Sequence, residues 1–349
     1  MNKNLRPKFH LLFLIALLSC FQAAAQINRL RFMEYNVENL FDTIHTAPLN
    51  DEEFTPQAER QWNSARYWSK LSRLSRVIAA VGYELPPTWV AMVEVENDSV
   101  ITHLIRRTKL WTAGYDYVMT HSPDRRGINV ALLYLPHQFR PISHDSLRIV
   151  PPDAKMPPTR DMLHVAGELI NGDTLDIWVV HWPSRRNGKS STNYRNLAAR
   201  QLRQHIDSVM HTRQTPQVIV TGDFNAFFPE PSIMKHLGAK LPDDSTPDPH
   251  ALYLLSAKMR ASHDIQGTYR YQGVWDQLDN FIVNGSLLVR QRSDALFTAR
   301  RHCRIADFPF LLKGIENRNG PYPRRTYLGT FHQGGYSDHL PLVLDLFFE

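Results

Sequence analysis

Cysteine is nearly missing from this 349-residue sequence, which holds only Cys20 and Cys303. Cys20 falls in a leading segment that reads as a removable leader, so the remaining chain carries one thiol and an internal disulfide framework is excluded. Stability then has to come from a buried core, and 43% hydrophobic residues with 11% aromatics can build one. CxxC, HExxH and paired histidine spacings are missing too, which removes the usual signatures of structural or catalytic zinc. The apolar run LLFLIALL, Leu11 to Leu18, is too short for a membrane span of about 20 residues. No internal repeat, low-complexity tract or Ser/Gly linker divides the chain, so residues 26–349 read as a single domain. The excess of one charge sign is small as well: 40 Lys and Arg against 34 Asp and Glu leave a formal net charge of +6, which falls to +3 once Lys3, Arg6 and Lys8 go with the expected leader. That balance suits a phosphate-bearing substrate but is too weak to argue for nucleic acid by itself.

What is there begins with the leader. MNKNLRPKFH carries Lys3, Arg6 and Lys8, and the apolar run and FQAAAQ follow, the layout of a secretory signal peptide over residues 1–25. Ala23 and Ala25 form a small-x-small site, which puts the mature start near Gln26. A rival reading takes LLSC, Leu17 to Cys20, as a lipoprotein box with Cys20 lipidated; bulky Leu18 and Phe21 on either side count against it. The expectation is an exported protein, periplasmic or secreted, with no stable membrane anchor.

Apolar or β-rich runs recur along the rest: LRFMEYNV from Leu30, TWVAMVEV from Thr88, YDYVMTH from Tyr115, INVALLYL from Ile128, LDIWVVHW from Leu175, QVIVTGDF from Gln217, QLDNFIV from Gln277 and LPLVLDLFF from Leu340. Helices are fewer. One places Trp68, Leu71, Leu74, Ile78 and Val81 on a buried stripe and stops at Gly82. Another, from about residue 193 to 211, turns Leu197, Leu202, Ile206 and Val209 inward and Arg195, Arg200 and Arg203 mostly outward. Strands interleaved with helices indicate a layered α/β class.

Several strands end in a polar group: Asn36 and Glu38 in YNVEN, Glu94 in VEVEN, His181 in VVHWPS, Asp223 and Asn225 in VTGDFN, Asp279 in QLDNFIV, and Asp338 with His339 in SDHLP. Singly, each suits a turn, a cap or a hydrogen-bonded core residue. Together they are hard to explain by turn chemistry. Cleaving a phosphate ester requires neutralised phosphoryl oxygens, an activated in-line water and a stabilised leaving oxygen, and carboxylates plus an amide suit a hard, oxygen-seeking cation such as Mg²⁺.

The ordered set YNVEN, VEVEN, VVHWPS, VTGDFN, QLDNFIV and SDHLP resembles the endonuclease/exonuclease/phosphatase superfamily, from about Arg29 to the C-terminus. The resemblance implies a four-layered α/β sandwich, with two mixed β-sheets packed face to face and helices outside, and Mg²⁺-dependent hydrolysis of phosphate esters, with Mn²⁺ or Ca²⁺ as alternatives. It implies Asp223 as the base that orients and deprotonates water, Asn225 as the group that fixes the phosphate or that water, and His181 on a non-bridging phosphoryl oxygen. Glu94 would hold the metal, helped by Asn36 or Glu38, with Asp338 a second metal-side carboxylate. His339 would donate to the phosphate, with Asp279 orienting its other nitrogen and keeping it cationic.

The substrate is less legible. Arg185, Arg186, Lys189 and Arg195 follow His181 in WPSRRNGKSSTNYRNLAAR and suit either a phosphate grip or a solvated loop. Tyr322, Arg324, Arg325, Tyr327, Gly334 and Gly335 form a second candidate wall, which suits either a base or sugar or plain packing on the second sheet. GDFN leads into AFFPEPS and the later motif is VWDQLDN, which departs from the inositol polyphosphate phosphatase branch, and no exposed aromatic hairpin of the sphingomyelinase kind is identifiable. The expected substrate is a phosphodiester, nucleic acid ahead of lipid, with no obligate protein partner. The alternatives are a phosphatase or phospholipase-like hydrolase of sugar, inositol or lipid phosphates, and a non-catalytic binding protein on the same fold.

Overall fold

The β-branched and aromatic runs assemble into two mixed sheets. In the computed structural model, which describes residues 28–151, 153, 156–290, 292, 294–316 and 320–348, the first sheet has the spatial order β14 (Cys303–Ile305), β19 (Leu342–Phe348), β1 (Asn28–Leu40), β2 (Trp89–Val95), β4 (Asn129–Tyr134) and β3 (Asp116–Met119). β1 pairs parallel to β2 and antiparallel to β19. The second sheet runs β5 (Phe139–Leu147), β6 (Met162–Leu169), β7 (Thr174–His181), β8 (Val218–Asp223), β13 (Asp279–Asn284), β10 (Leu252–Leu254) and β9 (Ala239–Lys240), with β7 and β8 parallel. The expected leader, with Cys20 and the expected start near Gln26, falls outside the described residues.

The sheets face each other across one core. Residues of β1 alternate between faces, and Phe32 meets the second sheet, its ring 5.3 Å from that of Phe281 on β13. Glu34 and Asn36 share that period-two face, so the same alternation that buries Phe32 carries two polar groups into the space between the sheets. Helix α1 (Ser64–Gly82), capped by the Asn63 side chain accepting from the Arg66 N–H, contributes Leu71, Leu74 and Ile78 to the core of the first sheet; α2 (Asp98–Arg107) contributes Val100, Ile101 and Leu104. Helix α3 (Gly188–Thr212) buries Ala198, Leu202 and Ile206 with Trp178 and Val220 of the second sheet. The result is a four-layered sandwich of helix, sheet, sheet and helix.

Two side chains depart from the helical patterns. Trp68, read as part of the buried stripe, is half-exposed, because α1 buries the neighbouring Tyr67 instead. Arg195, read as outward, is buried, its guanidinium donating to the carbonyls of Pro183 and Ser184. Three short hairpins lie outside both sheets: β11 (Tyr269–Tyr271) with β12 (Val274–Asp276), β15 (Leu312–Lys313) with β16 (Tyr322–Pro323), and β17 (Tyr327–Leu328) with β18 (Phe331–His332). Among the described residues no helix is long and apolar enough to cross a membrane.

Candidate active site

Strands of both sheets end at one edge of the sandwich. In the second sheet His181 of β7 and Asp279 of β13 are both cross-strand partners of Asp223 on β8, so three adjacent strands deliver an imidazole and two carboxylates at one level. Gly222 makes this possible: its φ is 130°, and a Cβ there would stand 2.0 Å from the Val180 carbonyl oxygen of β7. In the first sheet the pairing of β2 with β4 shifts register between Val93 and Val95, leaving Glu94 as the extra residue with φ 67°. A bulge of this kind re-aims a side chain. The Glu94 carboxylate reaches across to His181, Oε1 lying 3.9 Å from Nε2, while Oε2 accepts the Asn39 N–H at 2.9 Å.

Asp223 is buried and held on both oxygens: Oδ1 accepts the Asn225 N–H at 2.8 Å and Oδ2 accepts Nδ2 of Asn36 at 3.1 Å. Burial, then the neighbouring Asp279 carboxylate, pushes its pKa up to about 7, against the pull of His339. The Asn225 amide is oriented by donating to the Trp182 carbonyl at 3.1 Å. His339 Nδ1 lies 2.7 Å from Asp279 Oδ2. Burial by itself lowers the His339 pKa, but Asp279, with Asp338 and Asp223 behind it, more than offsets this and raises it to about 10, so the ring is a cation near neutrality. His181 is the opposite case. Burial, then the Arg160 and Arg126 guanidiniums and His339, depress it well below the usual imidazole range, and its Nε2 faces the carboxylates of Glu94 and Asp223.

Asp223, Asp279 and His339 place donor atoms within 4.8 Å of one another. The three could hold an ion between them; without one, His339 is paired with Asp279 and Asp223 lies beside both. Further oxygen donors suited to a hard cation line the same cavity on Glu94 and on Asp338, the latter paired with Arg325 at 3.0 Å.

These groups border a cavity of about 750 Å³. Its wall is more basic than the sequence motifs suggest. Arg126 donates to Asn39 Oδ1 at 2.9 Å, buried Arg160 donates to the Trp182 carbonyl at 2.9 Å and pairs with Asp124 at 3.4 Å, and Arg325 stands between Asp338 and Glu38. Arg126 and Arg160 sit in stretches with no strand-end motif, so sequence reasoning missed them. Glu34 was missed as well. It is fully buried below Asp223 and Asp279, and burial followed by those two carboxylates pushes its pKa well above the usual range. Its signal was an acid on the inward face of LRFMEYNV.

The remaining expected residues divide. Arg185 and Arg186 line the cavity; Arg185 pairs with Glu230 and lies 4.8 Å over the Phe227 ring. Lys189 is exposed on the first turn of α3 and is not part of the lining. Tyr327 lines the rim with its hydroxyl donating to the Arg60 carbonyl at 2.9 Å. Glu38 accepts the backbone N–H groups of Thr326 and Tyr327 at 2.5 and 3.2 Å, and burial, then Asp338, raises its pKa to about 7. Lys70, buried beneath, donates to the Glu38 carbonyl at 2.9 Å and to the Thr326 hydroxyl at 2.5 Å. The hairpin that the sequence did not reveal is β17 with β18, where Leu328 and Phe331 are 59% and 76% exposed at its tip.

A family model described as Endonuclease/Exonuclease/phosphatase family matches residues 32–347. No curated protein matches the sequence. Among solved structures, an endonuclease/exonuclease/phosphatase family protein from Bacteroides thetaiotaomicron is similar with TM-score 0.57 at 15% identity, over 93% of this chain and 96% of that one. D. rerio TDP2 complexed with single strand DNA product gives 0.52 at 14% identity, over 91% and 99%. The human Nocturnin catalytic domain with bound sulfate anion gives 0.53 at 16% identity, over 92% and 98%.

Proposed function

Because the chain belongs to the endonuclease/exonuclease/phosphatase family, we propose that it is an exported, divalent-metal-dependent phosphoesterase that hydrolyses phosphodiester bonds, with nucleic acid as its substrate. The observation that carries the reading is the meeting, at one basic cavity, of a buried carboxylate, Asp223, held by the Asn36 amide and the Asn225 N–H, and a buried imidazole, His339, whose Nδ1 lies 2.7 Å from Asp279. A base needs the first and a phosphoryl oxygen needs the second.

Asp223, held by Asn36 and the Asn225 N–H, accepts the proton of the attacking water, whose oxygen then forms the new bond to phosphorus as the bond to the leaving oxygen breaks. His339 donates to a non-bridging oxygen, fixed by Asp279. His181, neutral, donates from Nε2, the nitrogen facing the carboxylates and the cavity. Arg160 and Arg126 add fixed positive charge without needing to move. Glu94 and Asp338 would hold the metal, and their oxygens fit Mg²⁺, with Mn²⁺ or Ca²⁺ compatible. Bound there, the ion would neutralise phosphoryl charge and stabilise the leaving oxygen. Since both Glu38 oxygens are engaged by the 326–327 backbone, and the Asn36 amide by Asp223 and the Glu38 N–H, we place these two in the supporting frame.

The test is hydrolysis of DNA, RNA, sugar and inositol phosphates and sphingomyelin, with Mg²⁺ or EDTA, by the wild type and by Asp223→Asn. Mg²⁺-dependent cleavage of a nucleic acid that falls by at least ~10²-fold in kcat in the variant supports the reading; undiminished cleavage by the variant defeats it. One observation favours a second reading, action on lipid phosphates: the apolar tip at Leu328 and Phe331 adjoins Tyr327 on the cavity rim. Sphingomyelin turnover in the same panel, with no turnover of nucleic acid, would select it.

A further inference from the structure

A second groove, of about 870 Å³, runs from the catalytic cavity between the three hairpins. The two spaces share Tyr271, Arg325 and Asp338 as lining, so they adjoin. The hairpin that separates them is rooted in the chemistry. Tyr269 of β11 bridges the His339 backbone, and its ring lies 4.8 Å from the imidazole. Two residues along the same strand, and so on the same face, Tyr271 lines both spaces. It is 58% exposed; Tyr322 of β16, which also lines the groove, is 42% exposed.

The walls are tied together before anything binds. Arg270 donates to the Gly273 carbonyl at 3.2 Å within its own hairpin, and to the carbonyls of Gly320 and Pro321 at 3.0 and 2.6 Å beside β16. That guanidinium staples the backbone of the Tyr271 hairpin to that of the Tyr322 segment, so the two phenol side chains stand on walls tied to each other. Arg270, Lys313 and Arg325 are the charged groups of the lining together with one carboxylate, Asp338, which Arg325 pairs. Exposed aromatic faces along a net positive trough that starts at the scissile site are the arrangement that takes unstacked bases on a phosphate backbone.

We infer that this groove is a subsite for the nucleotide next to the scissile phosphate on single-stranded substrate, with the Tyr271 and Tyr322 rings stacking its base. The inference rests on the phosphodiesterase reading above and adds to it a preference for bases that are free of pairing. A phosphomonoester would leave the groove empty.

The experiment compares a single-stranded DNA oligomer with an oligomer of equal length and charge whose sugars carry no bases, assayed with the full chain and with the Tyr271→Ala, Tyr322→Ala double variant. Base stacking predicts that wild type favours the base-bearing oligomer in kcat/KM by roughly 5- to 150-fold, mostly through KM. The double variant should bring this ratio towards one, and Tyr271→Phe with Tyr322→Phe should restore it, since a phenyl face stacks as well. A ratio that the alanine variant leaves unchanged overturns the inference, whether both rates fall together or neither does. A wild type that cleaves both oligomers equally overturns the groove while leaving the phosphodiesterase reading intact. A wild type that cleaves neither, yet hydrolyses a small phosphomonoester, overturns both.

Discussion

Replacing Asp279 by asparagine removes the negative charge that raises the pKa of His339 and, by repulsion, those of Asp223 and Glu34. The Asp279 Oδ2 atom accepts from the Thr268 hydroxyl and faces Nδ1 of His339 at 2.7 Å, and an amide oxygen can occupy the same place. What disappears is the main cause holding the His339 pKa at about 10 rather than the ordinary 6.5. That difference corresponds to roughly 4–5 kcal/mol of interaction with the protonated ring. The sign follows from a folded-state pKa above the unfolded one: the contribution is complete below about pH 6.5 and is lost as pH rises through about 10. Urea unfolding in EDTA, followed from about pH 6.5 to about pH 10.5, should therefore show Asp279→Asn several kcal/mol below wild type at the acid end, with the gap closing toward the alkaline end. Taking the difference between the two proteins cancels the titration of lysines and tyrosines common to both. Without Asp279 the imidazole holds its proton less firmly, and kcat at about pH 8 should fall by at least ~10²-fold. A stability gap that stays constant across the window would refute the buried charge pair and with it the role of His339 as a cationic donor.

Glu94→Gln should weaken Mg²⁺ binding by calorimetry at least ~10-fold while changing unfolding free energy by no more than about 0.5 kcal/mol, because the amide oxygen still accepts the Asn39 N–H; unchanged affinity would move the metal elsewhere. Gly222→Ala should cost about 3 kcal/mol or more in urea unfolding and abolish activity, since its Cβ collides with the Val180 backbone between the strands bearing His181 and Asp223. A well-folded, active alanine variant would show that this approach of β7 and β8 is not required. Mass spectrometry of protein recovered from outside the cytoplasm should find an N-terminus near Gln26, and an acylated Cys20 would establish the lipoprotein reading instead.

How much could be read beforehand depended on where each residue lies in the sandwich. Central strands such as QVIV ahead of Gly222 are buried on both faces, so they appear as unbroken β-branched runs, and their polar ends mark the site. The edge strand β5, FRPISHDSL, carries mostly exposed side chains and a proline, and it shows no such run. The hairpins around the groove have strands of only two or three residues, too short to carry a period. Charge placement was the least legible. Arg195 has the spacing of a solvent-facing helical residue, yet it is buried because the loop after β7 turns the Pro183 and Ser184 carbonyls toward it. Nothing in local pattern distinguishes Arg160, buried against Trp182, from Arg186, exposed at the rim.

The hydrogen bond from Asn36 to Asp223 joins a strand of one sheet to a strand of the other, and Glu94 faces His181 in the same way. The proposed catalytic set therefore has no half that could work alone. Either sheet formed by itself carries an incomplete set: Asp223 without the Asn36 amide, or Glu94 without the His181 imidazole. Catalysis thus serves as a gauge of sandwich closure. During refolding, turnover should return only in the last phase, with the docking of the sheets and after far-ultraviolet ellipticity has recovered, and a substitution that loosens the Phe32–Phe281 contact would be felt at the scissile phosphate without touching it.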